Sequence, residues 1–118
     1  MYGKCALAKG LTNNIGMGSS EFHVIRTIDS ISNEYIFSLL NRGSVRKEAE
    51  KSMTGSTGHR RVPASYFANL QIPIPPLNKQ QQLITEIKKL EKQISAAKII
   101  IASAAEQKQA VMDQYLKE

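Results

Sequence analysis

The residues best suited to binding chemistry lie in one short stretch, Thr54-Gly55-Ser56-Thr57-Gly58-His59-Arg60-Arg61. Its small residues let the backbone come close to a partner. Thr54, Ser56 and Thr57 supply hydroxyls, His59 an imidazole, and Arg60 and Arg61 two permanent cations. Hydroxyls, backbone amides and guanidinium groups are the donors that hold phosphate oxygens. The same composition also suits a solvated connection between a helix and a strand, and the residue types alone leave both readings open. Just upstream, Arg46, Lys47 and Lys51 place three more cations on an expected helix. They read equally as an anion-attracting face or as an ordinary solvated one.

Catalytic chemistry finds no comparable footing. Cys5 is the only cysteine, and His23 and His59 are the only histidines. A thiol nucleophile needs a base beside it, and nothing local ties either histidine to Cys5. Cys5 therefore reads as a small buried apolar residue, and His23 as a surface strand residue. A lone cysteine cannot form an internal disulfide or a metal site built on cysteine pairs. It favours a reducing compartment, the cytoplasm. Gly3, Gly10, Gly16 and Gly18 evoke a phosphate loop, but their spacings match neither nucleotide fingerprint. No metal site, methyltransferase motif or nucleophile–base pair of recognised spacing is found, so the chain is read as non-catalytic.

The bulk properties agree with a binding role. The 118 residues allow one ordinary domain, or a small globular part plus a helix. With 42% apolar residues, 6% aromatics and no Trp, the chain should fold around an aliphatic core. Its net charge of +6 suits a polyanionic partner. Residues 1–10 lack the apolar run of a secretion signal, and no segment has the roughly 20 apolar residues of a membrane span.

Several short elements should position the basic loop. Lys4 to Ala8 could form a strand, followed by a turn at Asn13-Asn14-Ile15-Gly16. Glu21 to Arg26 alternates polar and apolar residues and reads as a second strand. Ser32 or Asn33 can cap a helix beginning near Glu34, with Tyr35, Ile36, Leu39 and Leu40 at helical spacing. Gly43 should end it in the left-handed conformation. A more polar helix should run from Ser44 to Met53, with Val45, Ala49 and Met53 on one face. After the loop, Tyr66 to Leu70 can form a helical turn started by Pro63 or Ala64. Ile72-Pro73-Ile74-Pro75-Pro76-Leu77 then forces an extended backbone, an edge strand or stiff connector.

From Asn78 onward one long helix is expected, since no glycine or proline follows Pro76. Asn78 is its expected N-cap, with Gln81 completing a capping box. Leu83, Leu90, Ala97, Ala104 and Val111 take one seam position of a heptad; Ile87, Ile94 and Ile101 take the other, followed by Lys108 and Tyr115. Alternating steps of four and three over more than four heptads are a coiled-coil pattern. Some 40 residues span roughly 60 Å, and a lone helix would expose that stripe to water, so a partner is expected. Lys108 reads as a stem lying along the seam with its ammonium in water. The off-seam Ile99 and Ile100 widen the apolar face.

Three features together resemble a known family. They are Thr54 to Val62, then Leu70-Gln71-Ile72-Pro73-Ile74-Pro75-Pro76-Leu77, then Gln80-Gln81-Gln82-Leu83-Ile84. Their order is similar to the end of a target recognition domain in specificity subunits of type I restriction-modification systems. Gly18 to Arg26 also looks like that family's strand before its small helices. The resemblance implies an α+β fold: a partial DNA target recognition domain of short strands and helices over residues 1–77, then one long coiled-coil spacer helix over residues 78–118. It implies double-stranded DNA as a partner, together with methyltransferase subunits and the restriction subunits that can join them. The complex so implied uses S-adenosylmethionine, while this chain needs no cofactor or metal of its own. A full recognition domain runs to about 150 residues. Residues 1–77 correspond to its second half, so the chain reads as a truncated product, a fragment or a piece needing a partner chain.

On this reading Thr54, Ser56, Thr57, His59, Arg60 and Arg61 approach DNA, the two arginines meeting phosphates or guanine edges. Arg46, Lys47 and Lys51 add salt-sensitive affinity. The helix pairs with itself or with another helix of the same kind, making a homo-oligomer. The alternative is an oligomerisation module with a vestigial recognition domain.

Overall fold

A computed structural model of the protein describes residues 4–117. Four α-helices follow a single 3-10 turn at Thr12–Asn14: α1 (Asn33–Leu40), α2 (Gly43–Lys51), α3 (Ala64–Asn69) and α4 (Leu77–Leu116). The α+β expectation is overturned. Helix takes 58% of the structure and strand 2%, and among the described residues no sheet forms. One isolated antiparallel bridge joins Thr54 and Arg61.

The expected strands fail for a physical reason. A strand needs a neighbour to take up its N–H and C=O groups and a layer to cover one face. Lys4 to Ala8 and Glu21 to Arg26 are irregular, without strand pairing. Phe22, Val24 and Ile25 of the second segment are all exposed, so alternation is present without a layer to bury it. Cys5 is exposed for the same reason, contrary to its reading as a buried residue. The turn at Asn13 and Asn14 does form, with φ of 55° and 57°.

The helices follow the apolar spacing closely, but some of their ends differ. Ser32 precedes α1 as N-cap. Gly43 opens α2 instead of ending α1 in a left-handed conformation. Asn41 closes α1 at φ −83° and ψ −3°, so a glycine is not required there. Helix α2 stops at Lys51, where the Ser52 hydroxyl donates to the Ala49 carbonyl at 2.7 Å. Helix α3 starts directly after Pro63.

Helix α4 begins at Leu77, which places Asn78 inside the helix and not at the N-cap. The Pro76 carbonyl accepts the N–H groups of Lys79 and Gln80, at 2.9 and 3.1 Å. The proline segment is thus a connector whose three proline carbonyls all accept hydrogen bonds. It lacks N–H groups at Pro73, Pro75 and Pro76. Pro73 accepts the Tyr35 hydroxyl at 2.7 Å, and Pro75 accepts the Gln80 side-chain amide at 2.8 Å.

Contacts divide the chain into two compact units, one ending at Ile84 and one starting at Thr85. The core of the first is Tyr35, Ile36, Leu39 and Ile84, with Ile31, Leu40 and Ile72 packed against it. Beside Ile84, one turn earlier on α4, Gln80 is fully buried. Its Oε1 accepts the Ser32 N–H at 2.9 Å. Its Nε2 donates to the carbonyls of Ser30 at 3.0 Å and Pro75 at 2.8 Å. One backbone donor and two backbone acceptors determine which end of the amide is oxygen. The second unit is the remainder of α4.

Removing this amide strands one N–H and two C=O groups in a partly buried place, each costing about 1–3 kcal/mol when unpaired, less what water entry recovers. Gln80→Ala should lower unfolding free energy by about 2–4 kcal/mol in urea titrations. The exposed Gln82→Ala should change it by less than about 0.5 kcal/mol.

Candidate nucleic-acid interface

The basic stretch folds as a closed loop. The Thr54 N–H donates to the Arg61 carbonyl and the Arg61 N–H to the Thr54 carbonyl, both at 3.0 Å. Inside that base, the His59 N–H donates to the Ser56 carbonyl at 2.9 Å, closing a four-residue turn. Gly58, third in the turn, has φ +88°, the sign a type II turn requires there. Gly55 has φ +113°, and a Cβ on it would stand 2.6 Å from the His59 carbonyl oxygen. The loop therefore excludes side chains at two positions while Thr54, Ser56, Thr57, His59, Arg60 and Arg61 are all exposed.

The expected cations do not stand alike. Arg60 is exposed, whereas Arg61 pairs through Nη1 with the Glu21 carboxylate. Lys47 and Lys51 are exposed and four apart on α2, hence on one face, and Lys51 closes the helix shortly before Thr54. Arg46 is half-buried and turned away from that face by the helical period.

Sequence reasoning missed what holds the loop's far end. The His23 ring, read as a plain surface residue, donates from Nε2 to the Val62 carbonyl at 2.7 Å. It also packs against Phe67 of α3, with ring centroids 5.0 Å apart. Phe67 meets Tyr66 edge-on at 5.4 Å. The Tyr66 hydroxyl donates to the Val45 carbonyl of α2 at 3.1 Å, linking α3 to the helix that leads into the loop. Desolvation, then the charge of Glu48, raises the Tyr66 pKa and keeps the phenol a neutral donor. A polar residue in an alternating run, far in sequence from its acceptor, carries no local signal of this role.

The seam positions lie along α4. Leu83, Leu90, Ile94, Ala97, Ile101, Ala104, Lys108 and Val111 are exposed, and Ile87 is half-buried. Ile99 and Ile100 are exposed as well, at 71% and 69%. In the first turns the residues turned inward are Gln80 and Ile84, beside the heptad stripe. No helix among the described residues is long and apolar enough to cross a membrane.

Gly55→Ala should lower stability by about 1–3 kcal/mol, from a disfavoured φ and the clash with His59. It should also speed protease cleavage within residues 54–61. Gly43→Ala is the contrast: it sits at an ordinary φ with open space, and should be neutral or stabilise by up to about 1 kcal/mol.

Comparison with known proteins bears on this surface. The family model described as type I restriction modification DNA specificity domain matches residues 6–110. The chain is 40% identical over 88 residues to the type I restriction enzyme EcoAI specificity subunit of Escherichia coli. It is 39% identical over 88 residues to the EcoEI specificity subunit of the same organism. Each match covers 74% of this chain and 15% of the relative, so the chain spans a small part of the length of these relatives. No solved structure matches significantly.

Proposed function

Because the chain belongs to the type I restriction modification DNA specificity domain family, we propose that it is a non-catalytic DNA-specificity element of a type I restriction-modification complex. Residues 1–77 are the DNA-contacting part and residues 78–118 the spacer and assembly helix. The observation that carries the reading is the closed loop from Thr54 to Arg61, which holds hydroxyls, an imidazole and two guanidinium groups in solvent on a constrained backbone. Such a loop can present backbone amides and cations to a phosphate oxygen without ordering a flexible segment first. Lys47 and Lys51, with Arg46, add sequence-independent attraction to double-stranded DNA.

The exposed stripe from Leu90 through Val111 supports assembly. Apolar side chains at heptad spacing lose exposed area when a second helix seats between them. The partners are a second copy or a helix of the same kind, and the methyltransferase and restriction subunits of the complex. The compartment that suits this function, and the single cysteine, is the cytoplasm.

Two measurements test the two parts separately. Binding to duplex DNA across a salt series should weaken as salt rises, with a log–log slope of about −0.9 per phosphate neutralised. The Lys47→Gln, Lys51→Gln double variant should make that slope shallower by about 1.8. No binding at low salt would remove direct DNA contact. For assembly, Ile94→Lys with Ile101→Lys should reduce the mass in light scattering to that of one chain. An unchanged mass would remove the seam.

A further inference from the structure

We propose that Glu21 is an internal competitor for the DNA phosphate at Arg61, so that the adjacent arginines of the loop contribute unequally to binding. This rests on the DNA-contact reading of the loop. Arg61 is paired with the Glu21 carboxylate, and among the described residues Arg60 has no carboxylate within ion-pair range. The pair brings together residues 40 apart in sequence. The same upstream segment grips the next residue as well, through His23 and the Val62 carbonyl.

The backbone at this point is held on both sides. Both the N–H and the C=O of Arg61 are taken by Thr54. Changing partner therefore needs only a rotation of the arginine side chain. That side chain is 61% exposed and the glutamate 58%, so both ends of the pair can reach solvent and an incoming phosphate. An exposed pair of this kind adds little to stability, and its loss leaves the fold intact.

The electrostatic consequence differs for the two arginines. Arg60 carries a full positive charge outward. At Arg61 the glutamate cancels the charge at contact distance. A phosphate that displaces Glu21 then faces an unpaired carboxylate nearby. Arg61 thus adds little to the initial attraction and joins only when contact is close enough to outcompete Glu21.

The test uses the whole 118-residue chain with a labelled random-sequence DNA duplex, titrated between about 50 and 200 mM salt, where counterion release is readily measured. Glu21→Gln should tighten binding about fivefold at low salt and steepen the log–log slope by about 0.9, as one newly available cation would. Arg60→Gln should make the wild-type slope shallower by a similar amount. In an Arg61→Gln background, Glu21→Gln should no longer steepen the slope, which separates release of Arg61 from a general gain of positive charge. Circular dichroism on each variant, and Glu21→Ala as a second replacement, guard against a folding defect. Weaker or unchanged binding by folded Glu21→Gln overturns the proposal, as does a gain that persists without Arg61. If neither wild type nor Glu21→Gln binds duplex at low salt, the DNA-contact reading fails with it. If the wild type binds and Glu21→Gln shows no gain, only the competition fails.

Discussion

A fully buried primary amide is tolerable only if nearly all of its hydrogen-bonding capacity is met, because an unmet polar group away from water costs more than its bond contributes. Gln80 meets that condition with Ser30, Ser32 and Pro75. These partners come from the approach to α1 and from the proline connector, while Gln80 itself belongs to the first turn of α4. The amide therefore ties three separate pieces of backbone to one helical phase. Each residue of slip turns a helix by about 100°, which would withdraw the amide from all three partners. Ile84, one turn on, is placed in the aliphatic core by the same phase, and Leu83 is left outside.

The proline segment gains a meaning from this. Prolines supply no N–H and cannot join a central ladder. Their carbonyls remain, and here those of Pro73, Pro75 and Pro76 all accept, from Tyr35, from the Gln80 side chain, and from the first amides of α4. A segment poor in donors is set against groups that need acceptors. The stiffness of the connector limits the entropy lost in holding it there.

The basic loop obeys a different constraint. Two glycines at positive φ and one reciprocal hydrogen-bonded pair make it short and closed. Its upstream end follows from α2, whose Val45 carbonyl is held by Tyr66. Its downstream end is held by a segment that forms no strand, through Glu21 and His23. The surface proposed to meet DNA is thus positioned by contacts between residues distant in sequence, each of them individually weak.

The helices were legible in the residue order because apolar spacing at 3.6 residues is a local property. Tyr35, Ile36 and Leu39 lie on one face of α1 whatever surrounds it, and the absence of glycine and proline after Pro76 lets α4 run on. The loop character of residues 54–61 and the heptad stripe were readable for the same reason, whereas the positive φ at Gly55 and Gly58 emerged only with the fold. Whether an alternating segment becomes a strand is not local. Glu21 to Arg26 has the pattern but no neighbouring strand, so its backbone stays irregular and the fold is helical. Only the tertiary structure chose Gln80 among three consecutive glutamines, since burial depends on which side of α4 meets α1. It also divided Arg60 from Arg61, because a partner 40 residues away in sequence decides which cation is already neutralised.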